Sequence, residues 1–159
     1  MPKDLIRRCV LILIADGFEE TETITWLSLV RQAGLCIKSV GLTRGLVNGA
    51  HGISLKPDLA LGELEPWLNT TAIRAVILPG GEASLARLEA DPRTHKLLHR
   101  VIEQEGQIVT GPDCMPMIQA AVRRGSETGK VDDGAAPVLV CGPERSLETW
   151  AQDLVRRLI

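Results

Sequence analysis

Residues 106–122 read GQIVTGPDCMPMIQAAV, and the change of period within them decides the fold. Ile108-Val109-Thr110 is a short β-branched run suited to a buried strand. Gly111-Pro112-Asp113 is a sharp turn. An apolar stripe at helical spacing then begins at Cys114 and continues through Met117, Ile118, Ala121 and Val122. Strand, tight turn and helix is the geometry that lifts a nucleophile off the end of a sheet into a cleft. A thiol placed there meets the bare N–H groups of a helix N-terminus, which favour the thiolate and lower a cysteine pKa below about 8.5. Cys114 is therefore the candidate nucleophile, with Asp113 beside it.

The same alternation extends outward in both directions. Cys9 to Ala15 (CVLILIA) is a continuous apolar run, as expected of a strand covered on both faces of a parallel sheet. A helix follows, with apolar residues at helical spacing in Ile24, Leu27 and Val30 and in Trp26, Leu29, Val30 and Ala33, and Gly34 as its C′ residue. Cys36–Val40 is a second strand. Leu46-Val47 and Ile53-Leu55 form a hairpin turning at Asn48-Gly49, and residues 58–72 hold a short helix and a connection. Ile73–Leu78 is the next strand, stopped by Pro79-Gly80-Gly81. A long helix starts at Asp91, an N-cap with Pro92 in the first turn, and buries Leu97, Leu98, Val101 and Ile102. After the focal segment, Ser126–Gly134 is an exposed loop, Pro137–Cys141 a last strand, and Ser146 caps a helix with Leu147, Trp150, Leu154 and Leu158 on one face. Strands alternating with amphipathic helices predict an α/β protein with a mostly parallel sheet, folded as one domain over residues 1–159.

Composition narrows the function. Apolar residues are 45% and charged residues 24% of the 159, with a net charge of −2, so no broad surface for nucleic acid or anionic membrane is expected. No apolar run approaches the roughly 20 residues that cross a bilayer. The run at Cys9 is too short for a signal peptide and turns acidic at once. Cytoplasmic, reduced thiols follow as the expectation. Cys9, Cys36 and Cys141 read as small apolar residues within strands. None of the four cysteines makes a C-x-x-C pair, so no zinc site is expected; no other metal and no cofactor is expected.

Ligands of such sheets gather outside the carboxyl ends of the strands. The loop after the first strand, Asp16 to Glu22, has one glycine and three glutamates, which argues against a phosphate. Glu19, Glu20 and Glu22 favour the helix N-terminus through its dipole. One of them facing the cleft could hold a proton beside the thiol. Backbone N–H groups at Gly80, Gly81 and Glu82 could form an oxyanion hole. His95 and His99, four apart on a helix, lack an acidic partner motif, and His51 is expected in solvent.

Three segments carry a resemblance: ADGFEETET (15–23) with R-x-A-G at 31–34, VILPGG (76–81), and the end from Val138 through CGPERSLETWA. Together they resemble the ThiJ/PfpI superfamily, the family of the Parkinson-disease-linked protein deglycase and of intracellular protease I. The resemblance implies a flavodoxin-like three-layer sandwich, akin to class I glutamine amidotransferases and commonly a homodimer, with glyoxalase, deglycase, protease or chaperone activities. The family acid matches Glu22, and the oxyanion turn matches Gly80 and Gly81. The family cysteine falls on Pro112 counting from Gly106 and on Asp113 counting back from Pro116, so Cys114 stands one or two places late. No histidine lies between the focal helix and the last strand. Two functions follow: a divergent, non-catalytic or weakly active protein that binds a small ligand or partner at the strand ends, or a cysteine-dependent enzyme acting on a small aldehyde or acyl compound through Cys114 and Glu22.

Overall fold

The computed structural model describes residues 7–114, 116–118 and 138–159. Ala121, Val122, Pro137 and the Ser126–Gly134 loop lie outside the described residues. A six-stranded parallel sheet runs in the order β5-β2-β1-β6-β7-β8. Its strands are β1 (Arg7–Ile14), β2 (Cys36–Gly41), β5 (Leu59–Ala60), β6 (Thr71–Leu78), β7 (Gln107–Thr110) and β8 (Val138–Val140). A separate hairpin pairs β3 (Val47–Asn48) with β4 (Ser54–Leu55). The helices are α1 (Glu20–Gln32), α2 (Leu64–Leu68), α3 (Glu82–Ala90), α4 (Pro92–Glu103) and α5 (Leu147–Leu158). This is the α/β arrangement with a mostly parallel sheet that the alternation predicts, and the flavodoxin-like three-layer sandwich that the resemblance implies.

The period-2 alternation of the central strands sorts the core into two layers. Leu11 and Leu13 of β1, Val76 and Leu78 of β6 and Ile108 of β7 join Leu85, Leu98 and Val101 of α3 and α4. Val10 and Ile12, Ala75 and Ile77, and Val109 face the other way, onto Trp26 and Val30 of α1 and Trp150 and Leu154 of α5. Each Leu or Ile so enclosed contributes about 1.5–3 kcal/mol. α1 ends as predicted at Gly34 (φ 81°). There the N–H groups of Gly34 and Leu35 donate to the carbonyls of Arg31 and Val30, closing the last turn.

The structure corrects the sequence reading in several places. Residues 82–90 form α3, a helix whose weak stripe is masked by Glu82, Ala83, Ser84 and Glu89. The hairpin does not turn tightly at Asn48-Gly49: Gly49 N–H donates to the Ile53 carbonyl at 2.8 Å, so five residues form the turn. A short edge strand, β5, precedes α2 where a plain connection was expected. Cys9 and Cys36 lie in strands as predicted, but they are not separate thiols. They face each other in the β1–β2 register with Cα atoms 4.7 Å apart, and a disulfide joins them, a separation that suits such a bond.

Candidate functional site

The carboxyl ends of β1, β6, β7 and β8 open into a cleft of about 420 Å³, lined in part by Glu22, Gly80, Cys114, Cys141, Arg145 and Trp150. The three glutamates of the first loop, equivalent by sequence, are separated here by function. Glu19 is the N-cap of α1, its carboxylate accepting from the N–H groups of Glu22 at 2.7 Å and Thr21 at 3.3 Å. Glu20 is 4% exposed and turns away to the hairpin. It accepts from the N–H groups of His51 at 2.9 Å and Ile53 at 3.1 Å, and its Oε1 lies 3.0 Å from His51 Nδ1. Glu22 lines the cleft, as Glu19 does, and its carboxylate accepts from Gly80 N–H at 3.0 Å.

These positions set the charges. Burial raises the Glu22 pKa; the Gly80 N–H opposes this and Glu19 adds to it. Burial also acts upward on Glu20, but the bonds from Ile53 and His51 outweigh it and hold that carboxyl below its usual range. Of the two, Glu22 is thus the acid that holds its proton more readily, and Glu20 the one that gives it up more readily.

Gly80 and Gly81 divide the work of their turn. Gly80 N–H is directed at Glu22, and the Gly80 carbonyl accepts from Glu19 N–H at 2.9 Å. Gly81, at φ 115°, brings its backbone against Gly17 and Phe18; a Cβ there would overlap the Gly17 carbonyl oxygen. Glycine at position 81 is therefore required by close backbone approach between two loops.

Cys114 ends a 3₁₀ turn over Pro112–Cys114, and residues 116–118 are helical. Cys114 is 3% exposed and belongs to the core layer that holds Leu85, Met117 and Ile118. Asp113 lies in the same turn; its side chain is outside the described residues. Two groups of this cleft were not singled out as site residues by sequence. Cys141 follows β8, its N–H donating to the Thr110 carbonyl at 2.7 Å. Arg145 stacks 4.4 Å above the Trp150 ring and pairs with Asp153. The sequence pattern puts Cys141 within the last strand, whereas β8 ends at Val140 and leaves Cys141 at the cleft; Arg145 has only a loop position as its signal.

The histidines find local partners. His95 Nε2 meets the Glu89 carbonyl at 2.7 Å, and His99 Nε2 meets Glu103 at 3.0 Å. Ligand atoms of Glu19, Glu20 and His51 lie within 4.8 Å of one another. Both carboxylates already accept from N–H groups as cap and hairpin clasp, which accounts for the cluster without a metal.

The sequence model of the DJ-1/PfpI family matches residues 8–114. A deglycase of Thermococcus kodakarensis is 39% identical over 74 residues, which are 46% of this chain and 42% of that protein. The chain therefore spans less than half the length of that relative. Deglycase PfpI of Pyrococcus furiosus is 27% identical over 119 residues, 73% of this chain and 68% of its own length. Among solved structures, Drosophila melanogaster DJ-1beta superposes with a TM-score of 0.76 at 17% identity, covering 96% of this chain and 90% of that one. At that identity the likeness is one of fold. No helix among the described residues is long and apolar enough to cross a membrane.

Proposed function

The chain belongs to the DJ-1/PfpI family, and from that premise we propose that it is a divergent member, non-catalytic or weakly active, that binds a small carbonyl compound at the carboxyl ends of its strands. The observation that carries this reading is Glu22, a carboxyl raised by burial and aimed by Gly80 N–H in a cleft about 420 Å³ in volume. Such a group can donate a proton to a carbonyl oxygen and take it back. Divergence at the thiol is supported by Cys114, which stands late in the turn and is 3% exposed in the core layer. The proposal takes residues 1–159 as one cytoplasmic domain.

A second reading is a glyoxalase- or deglycase-type enzyme with Cys114 as nucleophile, Glu22 as acid–base and the Gly80–Gly81 turn as oxyanion donor. It is favoured by Cys114 lining the same cleft and by the deglycase names of the relatives. Calorimetric titration with methylglyoxal and iodoacetamide labelling near pH 6 separate the two. The first reading expects saturable binding that Glu22→Gln abolishes and Cys114→Ser keeps, with slow labelling of Cys114. Fast labelling, and turnover lost in Cys114→Ser, would establish the enzyme instead.

A homodimer is part of the proposal. Ile24 (45% exposed), Leu46 (64%) and Ile53 (54%) are exposed large apolar residues on α1 and the hairpin, which the Glu20 clasp holds together. Leu46→Lys should convert a dimer to a monomer in sedimentation; a wild-type chain that sediments as a monomer ends this part.

A further inference from the structure

We propose that the end of the sheet opposite the cleft holds a second binding site, for a small organic phosphate that carries hydroxyl groups. A cavity of about 580 Å³ opens at the amino ends of β1, β6 and β7, where Arg8, Asn69, Arg74, Gln104 and Glu105 line it. That volume lies within the range of small-molecule pockets, roughly 300–1,000 Å³.

Arg74 sits where β6 breaks its pleat. Cys9 pairs with Ile73 but Val10 pairs with Ala75, so Arg74 is an extra residue in the ladder. The two core layers record the same break. Ile73 packs with Val76 on the side of α3 and α4, while Ala75 packs with Ile77 and Val10 on the side of α1 and α5. In an unbroken strand Ile73 and Ala75 would share a face. A bulge of this kind frees one side chain from the alternation and re-aims it, and here that side chain is a half-buried arginine. Arg8 stands at the start of the neighbouring strand, opposite Ala72. Among the described residues, neither guanidinium makes an ion pair or a hydrogen bond, whereas Arg31, Arg93 and Arg145 each meet an aspartate. A guanidinium is a rigid fork of donors that matches phosphate oxygens in pairs. Arg74 has given up part of its water without gaining an acceptor, and an anion in the cavity supplies one.

Glu105 supplies the opposite sign. It follows α4 in left-handed backbone, at φ 60°, with its N–H donating to the Ile102 carbonyl and the Gly106 N–H to the Val101 carbonyl. Glycine is the usual residue at such a helix end. A glutamate there carries a conformational cost that glycine avoids, and it gives the cavity wall a carboxylate. That carboxylate repels a bare phosphate but accepts from a ligand hydroxyl. The carbonyl end of α4, negative by its dipole, favours hydroxyl donors in the same way. The side-chain amides of Asn69 and Gln104 offer both a donor and an acceptor. The lining therefore sorts its ligand into two parts. A phosphomonoester, with a charge of about −1.5 to −2 at neutral pH, balances two guanidiniums. The hydroxyls of the rest of the molecule meet Glu105 and the amides.

Calorimetric titration and amide NMR on the full chain test this, with glucose-6-phosphate, glucose and inorganic phosphate as probes. Glucose-6-phosphate should bind saturably and at least about tenfold more tightly than inorganic phosphate, and glucose should give no heat. The sugar phosphate should shift the amides of Ala72, Arg74 and Gly106 and leave those of Gly80 and Gly142 in the cleft unmoved. Arg74→Gln and Arg8→Gln should each weaken it at least about tenfold, the loss of one charged hydrogen-bonding partner. Arg8 is exposed, so its variant decides the matter should Arg74→Gln fail to fold. Glu105→Gly should raise the urea midpoint and yet narrow the preference for glucose-6-phosphate over inorganic phosphate, a split that a purely structural role of Glu105 would not produce. Absence of glucose-6-phosphate binding overturns the inference. So do inorganic phosphate binding equally well, arginine variants that bind as wild type does, and shifts confined to the cleft amides.

Discussion

The N–H of Gly80 points at the Glu22 carboxylate, 3.0 Å away, while the Gly80 carbonyl holds Glu19 N–H at 2.9 Å. One residue of the turn after β6 thus fixes the opening turn of α1 by both its donor and its acceptor. The bond aims Glu22 but does not offset its burial, since the carboxyl pKa is raised. The folded state therefore binds this proton more tightly than the unfolded chain. The stability it contributes is full below the unfolded pKa of about 4.3 and is lost as pH rises through the folded value. Glu22→Gln removes that dependence. Its Tm should exceed wild type by about 1–3 °C at pH 7, with the gap closing near pH 4. Thermal scans at the two pH values check this, and a wild type more stable than the variant at pH 7 would contradict it.

Glu20 should behave with the opposite sign. Its carboxylate, held below the usual range by the hairpin donors, contributes stability above the unfolded pKa that is lost as pH falls through the folded value. Its partners tie the hairpin to α1, so the loss is local opening before it is global. Gly49 fits this clasp because a Cβ there would overlap the Glu20 side chain. Hydrogen exchange should show the His51 and Ile53 amides protected in wild type at pH 7 and at least about tenfold less protected in Glu20→Ala, while β1 amides stay slow. Equal protection in both proteins would mean the clasp is not what holds the hairpin.

How far the sequence reveals this arrangement depends on the kind of signal. β1, β6 and α4 are legible because long apolar runs and strong stripes leave one solution for burial. α3 is not, since Glu82, Ala83 and Ser84 give it no apolar stripe, and its helical state follows from Leu85 and Leu88 closing the core. The three glutamates all read as helix-start acids. Their separation into cap, clasp and cleft acid depends on where Gly80 and the hairpin come to rest, and neither is encoded within their own segment. The pairing of Cys9 with Cys36 comes from a register between strands 27 residues apart, which no local pattern specifies.

Two glycines in left-handed backbone separate strain from crowding. Gly34 (φ 81°) has nothing within 4 Å of a built Cβ, whereas at Gly81 (φ 115°) that atom would overlap the Gly17 carbonyl and crowd Phe18. Gly34→Ala should cost about 1–2 kcal/mol from conformation alone. Gly81→Ala should cost about 3 kcal/mol or more, because a rigid neighbouring backbone must also move. Urea unfolding of the two variants measures the difference; equal losses would show that the contact between the two loops yields freely.

The Cys9–Cys36 disulfide closes a loop with a sequence separation of 27 that contains α1 and with it Glu19, Glu20 and Glu22. Closing a loop of that length restricts the unfolded chain by about 3.5 kcal/mol on the chain-entropy account. For a domain of this size the loss corresponds to a fall in Tm of about 10 °C. Cys9 is 1% exposed and Cys36 half-buried, so incubation with dithiothreitol should begin in mild denaturant. The reduced protein and Cys36→Ala should then melt at similar, lowered temperatures, with dithiothreitol having no further effect on the variant. Because β1 also pairs with β6 along its length, the sheet should keep its far-ultraviolet circular dichroism after reduction. A wild-type Tm indifferent to dithiothreitol after full reduction, verified by thiol titration, would mean that strand pairing alone fixes the two cysteines and that the covalent link adds nothing to the fold.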